Sequence, residues 1–254
     1  MARLYVKLVL LKVDPEQEST NMQENFEIKT FDGQFAAYVV SPAVTPAPVV
    51  IVIQEIFGVN AGIREIANGL AKQGFLAVCP DLFWRFEAGL QLSDHNKADW
   101  KKGLDMYDRY DFNEGVKDIE ATIAAFRKFS GSTGKVGVMG FCLGGLMSFL
   151  TAARVDVDAA VEYYGAQTEE FVSEGMRIKK PFMMHLAGED EFMDKAAQAT
   201  IRAALAHNSH VEIHTYPGRN HAFARPNGDH YDATDAATAN TRTLNFFRRY
   251  LGLV

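Results

Sequence analysis

The run Gly140-Phe141-Cys142-Leu143-Gly144 lies between a predicted strand and a predicted helix, and it constrains the fold more than any other segment. A turn this tight forces its central residue into strained backbone angles, so small residues are needed two positions before and after it. The Cys142 sulfur would then stand at a helix N-terminus, where the helix dipole favours a thiolate. The pattern predicts a nucleophile elbow with a cysteine nucleophile. The alternative is a buried structural cysteine at an ordinary strand–helix turn.

Strands and helices alternate along most of the chain after an opening hairpin. The hairpin is predicted from residues 26–31 and 35–40, with Asp32 and Gly33 at the turn. Further strands are predicted over residues 49–53, 75–79, 136–139, 159–163, 181–186 and 211–215. Helices are predicted over residues 60–74, 116–126, 143–153 and 195–206 and at the C-terminus, and residues 81–113 are predicted as a loop-and-helix excursion without a clear period. This order predicts an α/β fold with a mostly parallel central sheet, helices on both faces, and the chemistry at the carboxyl ends of the strands.

Composition and charge narrow the class of protein. Hydrophobic residues make up 48% of the 254 residues, which is enough for a sizeable core. The net charge of −6, without any run of lysines or arginines, argues against a nucleic-acid partner. The two cysteines, Cys79 and Cys142, cannot build a disulfide framework, so their number fits a reducing compartment. We therefore expect a cytoplasmic protein in which Cys79 is a small buried hydrophobic residue.

Residues 1–21 are predicted to be an N-terminal extension, either poorly ordered or forming an added edge strand. The apolar run at residues 4–13 is broken by Lys7 and Lys12, and it is too short to span a membrane. No small-residue cleavage site follows it, so it does not resemble a secretory signal. Met22 is an alternative start, and residues 22–254 are expected to form a single domain. Because no heptad repeat or long apolar edge is visible, we expect a monomer with no membrane partner.

An acid and a histidine are expected after the nucleophile, because enzymes with such an elbow carry these groups in the order nucleophile, acid, histidine. Glu189, Asp190 and Glu191 follow the strand predicted over residues 181–186, and position alone leaves three candidate acids. His221 follows the last predicted strand and is the best placed of the seven histidines. The others lie on or beside predicted strands, near a helix end, before the elbow, or well past the last strand: His95, His185, His207, His210, His214 and His230.

A metal site is suggested by two of these histidines and then rejected. His210 and His214 stand four residues apart, a spacing at which a helix can present two zinc ligands. They flank a predicted strand, however, where four residues span roughly 13 Å, too far to share one ion. We therefore expect neither a metal nor an organic cofactor.

Several segments of the chain together resemble one known family. They are residues 52–60 (VIQEIFGVN), 79–83 (CPDLF), 140–145 (GFCLGG), 163–165 (YYG) and 221–225 (HAFAR). In this order they closely resemble the dienelactone hydrolase family, and the similarity extends over about residues 26–252. The resemblance implies an α/β-hydrolase fold and a carboxylic-ester hydrolase of the carboxymethylenebutenolidase type.

The resemblance also implies roles for the residues at the elbow and on the later loops. Cys142 would attack the lactone carbonyl, His221 would serve as the base, and Asp190 would hold His221. The backbone N–H groups of Ile56 and Leu143 would form the oxyanion hole. In contrast to serine, a cysteine forms a thioester intermediate that water must hydrolyse.

Further roles concern the resting state and the substrate. Glu55 would meet the Cys142 thiol in the resting enzyme and help to convert it to a thiolate; alternatively, it is an acidic residue near the start of a helix. Arg85 and Arg225 would bind the carboxylate of the substrate, because a guanidinium can donate two parallel hydrogen bonds to it. The family has a small residue where this chain has Trp84, so the shape of the pocket is expected to differ. The residues expected to line the pocket, unless they are plain core aromatics, are Phe57, Tyr164 and Phe223.

Three functions remain open at this point. The first is hydrolysis of dienelactone (4-carboxymethylenebut-2-en-4-olide) to maleylacetate in the degradation of aromatic compounds, which the coincidence of Cys142, Glu55, Arg85 and Arg225 favours. The second is a broader carboxylesterase or thioesterase of the same family. The third is a non-catalytic binding or redox-sensing protein that uses Cys142 only as a reactive thiol. A general base such as His221 is not needed by a sensor, so its presence favours an enzyme acting on a small lactone or ester.

Overall fold

A computed structural model describes residues 23–253, and the extension predicted at residues 1–21 lies outside this range. The strands are β1 (Gln23–Lys29), β2 (Gln34–Val40), β3 (Ala47–Ile53), β4 (Leu76–Pro80), β5 (Ser132–Phe141), β6 (Ala159–Tyr163), β7 (Phe182–Ala187) and β8 (Val211–Tyr216). The helices are α1 (Ala61–Lys72), α2 (Lys97–Tyr107), α3 (Phe112–Arg127), α4 (Leu143–Arg154), α5 (Thr168–Phe171), α6 (Lys195–Leu205) and α7 (Ala233–Leu251). A 3-10 turn, Val172–Arg177, follows α5 directly.

The strands form one sheet in the order β1-β2-β4-β3-β5-β6-β7-β8. β2 pairs antiparallel with β1 and with β4, and all the other neighbouring strands are parallel. This confirms the prediction of a mostly parallel sheet behind an opening hairpin, in an α/β-hydrolase fold. Because β3, β5, β7 and β8 run in the same direction, their carboxyl ends meet at one edge of the sheet.

The sheet separates two hydrophobic cores. Alternate residues of β3 point to opposite faces, so Val49 and Ile51 join one core while Val50 and Val52 join the other. The first core contains the apolar faces of α3, α4 and α6, and the second contains those of α1 and α7. Every residue of β3 is buried, as expected for a parallel strand covered on both sides. Cys79 lies in the second core, fully buried, and burial raises the pKa of its thiol.

The helices begin at polar residues that cap their free N–H groups. Asn60 accepts a hydrogen bond from the N–H of Ile63 at 3.2 Å and starts α1. Asn96 accepts one from the N–H of Ala98 at 2.8 Å and starts α2, the helix of the predicted excursion. The short α5 was not predicted, because four residues are too few to show a helical period. No helix within residues 23–253 has the length and apolar character needed to cross a membrane.

Candidate active site

A single residue, Cys142, connects the end of β5 to the start of α4. Its backbone angles, φ 54° and ψ −116°, lie in a region that residues with side chains avoid. A Cβ on Gly140 would collide with the Gly144 carbonyl, and a Cβ on Gly144 would collide with the Ile53 carbonyl, so both positions need glycine. The Cys142 N–H donates to the Tyr163 carbonyl at 3.1 Å, which fixes the turn against β6. Because Cys142 is partly exposed and lines a cavity, it is not the buried cysteine of the alternative interpretation.

Asp190 and His221 come together on the loops that follow β7 and β8. Each carboxylate oxygen of Asp190 lies 3.0 Å from Nδ1 of His221. A backbone hydrogen bond of 2.7 Å from the Glu189 N–H to the Arg219 carbonyl joins the two loops. Asp190 is buried, whereas Glu189 is exposed and pairs with Lys195. The structure therefore distinguishes Asp190 from the neighbouring acids, which the sequence could not.

The surroundings of His221 favour its charged form. Burial opposes the imidazolium, but the charges of Cys142 and Asp190 outweigh it and raise the pKa of His221 to about 10. The rings of Phe192 and Tyr164 pack against the imidazole edge-on, with centroids 4.8 and 5.1 Å away. Nε2 is buried and has no hydrogen-bond partner within the described residues. Since Asp190 holds Nδ1, Nε2 is the nitrogen left to exchange protons with the thiol in the shared cavity.

Two backbone donors lie beside the thiol. Ile56 lines the same cavity as Cys142, and Leu143 is the first residue of α4, directly after Cys142. Among the hydrogen bonds of residues 23–253, neither of these N–H groups has an acceptor. Both donors are therefore available to an oxyanion that forms at the cavity.

Glu55 and Arg225 form a buried bidentate ion pair. Nε of Arg225 donates to Glu55 Oε2 at 2.7 Å and Nη2 donates to Oε1 at 2.9 Å; the two side chains are 13% and 6% exposed. Nη1 donates to Asp94 at 3.3 Å. Burial opposes the guanidinium, but the charge of Glu55 outweighs it and holds the pKa of Arg225 above its usual range. This corrects two expectations: Glu55 is bonded to Arg225 rather than to the Cys142 thiol, and Arg225 is already occupied by protein carboxylates.

Arg85 does not reach this cavity, contrary to the prediction that it binds the substrate. Its Nε and Nη2 each donate to Asp32 at 3.0 Å, and its Nη1 donates to Asp118 at 2.5 Å. These partners lie at the turn of the hairpin and on α3. Trp84 also belongs to this group: it donates to Asp118 at 2.9 Å, and the Arg85 guanidinium stacks 4.2 Å from its ring. Arg85 and Trp84 therefore stabilise the hairpin and do not shape the pocket.

The aromatic residues predicted for the pocket take different positions. Tyr164 packs on His221, and its buried hydroxyl has no hydrogen-bond partner within the described residues. Phe57 is buried, with its ring 5.1 Å from the Arg225 guanidinium. Phe223 is buried 5.7 Å from the Tyr164 ring. Phe57 and Phe223 therefore support Arg225 and Tyr164 from behind rather than line the cavity.

The outer wall of the cavity comes from a helix whose role the sequence did not reveal. Trp100, Leu104 and Tyr107 of α2 face the cavity, which measures about 50 Å³. The Tyr107 hydroxyl donates to Gln167 at 2.7 Å and thereby ties α2 to the segment after β6. Spacings of four and three residues place these side chains on one helix face, and this was the available signal. The complete lining is Ile56, Trp100, Leu104, Tyr107, Cys142, Ala166, Phe192, His221 and Arg225.

Comparisons with known proteins identify a family of similar chains. Residues 35–251 match the family described as the Dienelactone hydrolase family. A carboxymethylenebutenolidase of Pseudomonas putida is 39% identical over 226 residues, which cover 89% of this chain and 96% of the relative. Carboxymethylenebutenolidase 1 of Cupriavidus pinatubonensis is 35% identical over 212 residues, covering 84% of this chain and 90% of the relative.

A solved structure shows the same arrangement of strands and helices. It belongs to a Klebsiella pneumoniae protein described as a candidate dienelactone hydrolase, and it superposes with a TM-score of 0.82 at 27% identity. The match covers 91% of this chain and 100% of that protein.

Proposed function

Because this chain belongs to the dienelactone hydrolase family and is a carboxylic-ester hydrolase, we propose that it opens an activated lactone or enol ester through a thioester on Cys142. The observation that carries the proposal is the strained, partly exposed Cys142 in one cavity with His221, whose other ring nitrogen is held by Asp190. The names of its relatives make 4-carboxymethylenebut-2-en-4-olide the first substrate to test, with maleylacetate as the product.

The first half-reaction forms the thioester. The thiolate of Cys142, stabilised by the imidazolium of His221 and by the N-terminus of α4, attacks the carbonyl carbon. The carbonyl oxygen becomes an oxyanion and accepts hydrogen bonds from the Ile56 and Leu143 N–H groups. When the oxyanion collapses, the ring C–O bond breaks, and His221 Nε2 gives its proton to the leaving enolate. Asp190 keeps the imidazole in the required tautomer throughout.

The second half-reaction hydrolyses the thioester. His221, now neutral, removes a proton from water, and the resulting hydroxide attacks the thioester carbonyl in the same oxyanion hole. The C–S bond breaks, the carboxylic acid leaves, and the thiolate–imidazolium pair is restored. A lactone and one water thus give one ring-opened acid. An enolate is a good leaving group, so activated lactones and enol esters suit this site, whereas amides do not.

A reactive thiol also favours one compartment. A thiolate nucleophile is lost to disulfide formation or to oxidation wherever the surroundings are oxidising. We therefore propose that the enzyme works in the reducing cytoplasm, as a monomer acting on a small molecule without a cofactor.

The test compares two cysteine variants in an assay that follows the absorbance of the lactone. We expect Cys142→Ala to lower kcat for the lactone by at least about a thousandfold, because the remaining groups can position the substrate but cannot form the thioester. Cys79→Ala is the matched control, since Cys79 is fully buried in the other core. It should keep the activity of the wild type. Equal activity of the wild type and Cys142→Ala would refute the proposal.

A further inference from the structure

The cavity beside Cys142 is lined mainly by apolar surface. Trp100 and Leu104 of α2 line it together with Ala166 and Phe192. Among the residues that line it, Arg225 is the one permanent cation. The His221 imidazolium and the Cys142 thiolate, which also line it, carry opposite charges and offset each other. Whether the site can hold a negatively charged substrate group therefore depends on the charge that Arg225 has left to offer.

Protein carboxylates already more than neutralise Arg225. Of its five N–H groups, three are used: two donate to Glu55, at 2.7 and 2.9 Å, and one donates to Asp94 at 3.3 Å. The guanidinium is 13% exposed and the carboxylates of Glu55 and Asp94 are 6% and 17% exposed, so water screens these charges poorly. With His95, whose Nε2 lies 3.7 Å from Asp94, counted as neutral, one cation against two carboxylates leaves this group with a net charge of −1.

Within residues 23–253, no second arginine lines this cavity to compensate for the excess. Each nitrogen of Arg85 donates to Asp32 or Asp118, away from the cavity. A carboxylate on a bound lactone would therefore meet a poorly hydrated group of net negative charge and be repelled by it. An uncharged lactone would not be repelled by this group.

We propose that this site selects lactones and esters whose acyl part carries no carboxylate, and that Asp94 sets this preference. The proposal rests on Cys142 being the nucleophile, as proposed above. Asp94 is the carboxylate to change: Glu55 pairs with Arg225 one to one, and Asp94 supplies the extra negative charge. Asp105 lies on α2, the helix that forms the cavity wall, and pairs with Lys101 on the surface at 2.8 Å. It therefore offers a matched control.

The first experiment measures charge selection without requiring turnover. Iodoacetamide and iodoacetate alkylate the same thiol and differ in one negative charge; the buried Cys79 is protected from both. Relative to the ratio shown by free cysteine, we expect Cys142 to favour iodoacetamide. We expect Asp94→Asn to reduce that preference about tenfold, the effect of one charge roughly 12 Å away at an effective dielectric constant of about 20. Asp105→Asn should leave the ratio at the wild-type value. Melting temperatures confirm that each variant is folded.

The second experiment uses two lactones that differ in the same way. 4-Methylenebut-2-en-4-olide and 4-carboxymethylenebut-2-en-4-olide share the ring and the exocyclic double bond, and only the second carries a carboxylate. We expect a higher kcat/KM for the first, a gap that narrows in Asp94→Asn, and a shift towards the second in Leu104→Arg, which adds a cation to the wall. These changes should appear in the ratio of the two kcat/KM values.

The outcomes separate the two proposals. If Cys142 favours iodoacetate, or if Asp94→Asn and Asp105→Asn give the same alkylation ratio, the selection by charge is refuted whatever the enzyme hydrolyses. If the alkylation ratios behave as expected but neither lactone is opened, the selection stands and the proposed lactone hydrolysis fails. A wild-type preference for the carboxylate-bearing lactone would refute the selection and leave the hydrolysis intact.

Discussion

Arg85 and Arg225 hold equivalent salt bridges in two different regions of the molecule. Both donate to two carboxylates, and at least one carboxylate of each group is almost completely buried: Asp118 for Arg85 and Glu55 for Arg225. The Arg85 group joins the hairpin turn to α3, whereas Arg225 lines the same cavity as Cys142. The same kind of ion pair therefore supports the fold in one region and lies at the candidate site in the other.

The difference arises from what lies next to each group. Arg225 follows His221 by four residues on the loop after β8, so the loop that brings His221 to the cavity also brings the guanidinium there. Arg85 follows β4, and β4 borders the antiparallel side of the sheet, where Asp32 of the hairpin is within reach. The pairing of an arginine thus depends on strand order, which its local sequence does not contain.

Among the variants of the two arginines, we expect Arg225→Ala to have the largest effect, because it should lower both stability and activity. Removing the guanidinium leaves Glu55 buried and unpaired, which should lower the free energy of unfolding by about 3–5 kcal/mol. The cavity also loses the positive charge of Arg225, which favours the thiolate, so we expect kcat/KM for a neutral ester to fall by about tenfold or more. Urea unfolding and steady-state kinetics measure the two effects.

A conservative variant separates charge from geometry at this position. Arg225→Lys keeps the positive charge but loses the bidentate fork, so it should restore part of the stability and part of the rate. If Arg225→Ala kept the full rate of the wild type, the ion pair would have no part in the site.

Arg85→Ala should lower stability without lowering activity. We expect a loss of about 3 kcal/mol in the free energy of unfolding, because Asp118 is fully buried and loses its charged partner. The kcat/KM of the folded fraction should stay at the wild-type value, since Arg85 lies outside the cavity. Asp32→Asn, which removes an exposed partner, should cost much less stability than Arg85→Ala, because water screens this pair. A loss of rate in Arg85→Ala that exceeds the unfolded fraction would contradict this assignment.

The features of the site that depend on residues close in sequence could be predicted, and those that depend on distant contacts could not. The elbow was predictable because it depends on residues that are close in sequence. A Cβ at position 140 would collide with the Gly144 carbonyl four residues later, so glycine is needed there. His221 was predictable because a single histidine follows the last strand at the expected distance. The Arg225–Glu55 pair joins residues 170 positions apart, and Asp94 had no motif around it, so neither could be found from local patterns. α2 was missed as a wall because its three inward residues are embedded among charged ones.

A third buried polar group, the His185 imidazole, is held by hydrogen bonds to hydroxyl groups and not by an ion pair. His185 is fully buried, with its ring nitrogens 2.8 Å from the Tyr216 hydroxyl and 2.9 Å from the Thr243 hydroxyl. Burial, together with the nearby His214 and Arg242, lowers the pKa of His185 well below its usual value. The folded protein therefore does not take up this proton when the unfolded chain does.

The sign of the pH effect follows from this difference in proton uptake. As the pH falls below about 6.5, the unfolded chain gains a proton that the folded chain refuses, so His185 should cost about 1 kcal/mol of stability by pH 5.5. Above that range the effect should vanish. His185→Gln should remove this part of the pH dependence, whereas His207→Gln, at an exposed position, should not. Identical slopes in the three proteins between pH 7 and 5.5 would contradict the neutral burial of His185.

The most direct test of the central role of Cys142 is to quench the reaction with an activated ester within milliseconds and map the adduct by peptide mass spectrometry. We expect the acyl mass on the peptide that contains Cys142, sensitive to hydroxylamine as a thioester is, and absent in Cys142→Ala. Turnover without any adduct on Cys142, together with undiminished hydrolysis by Cys142→Ala, would contradict the role assigned to this thiol.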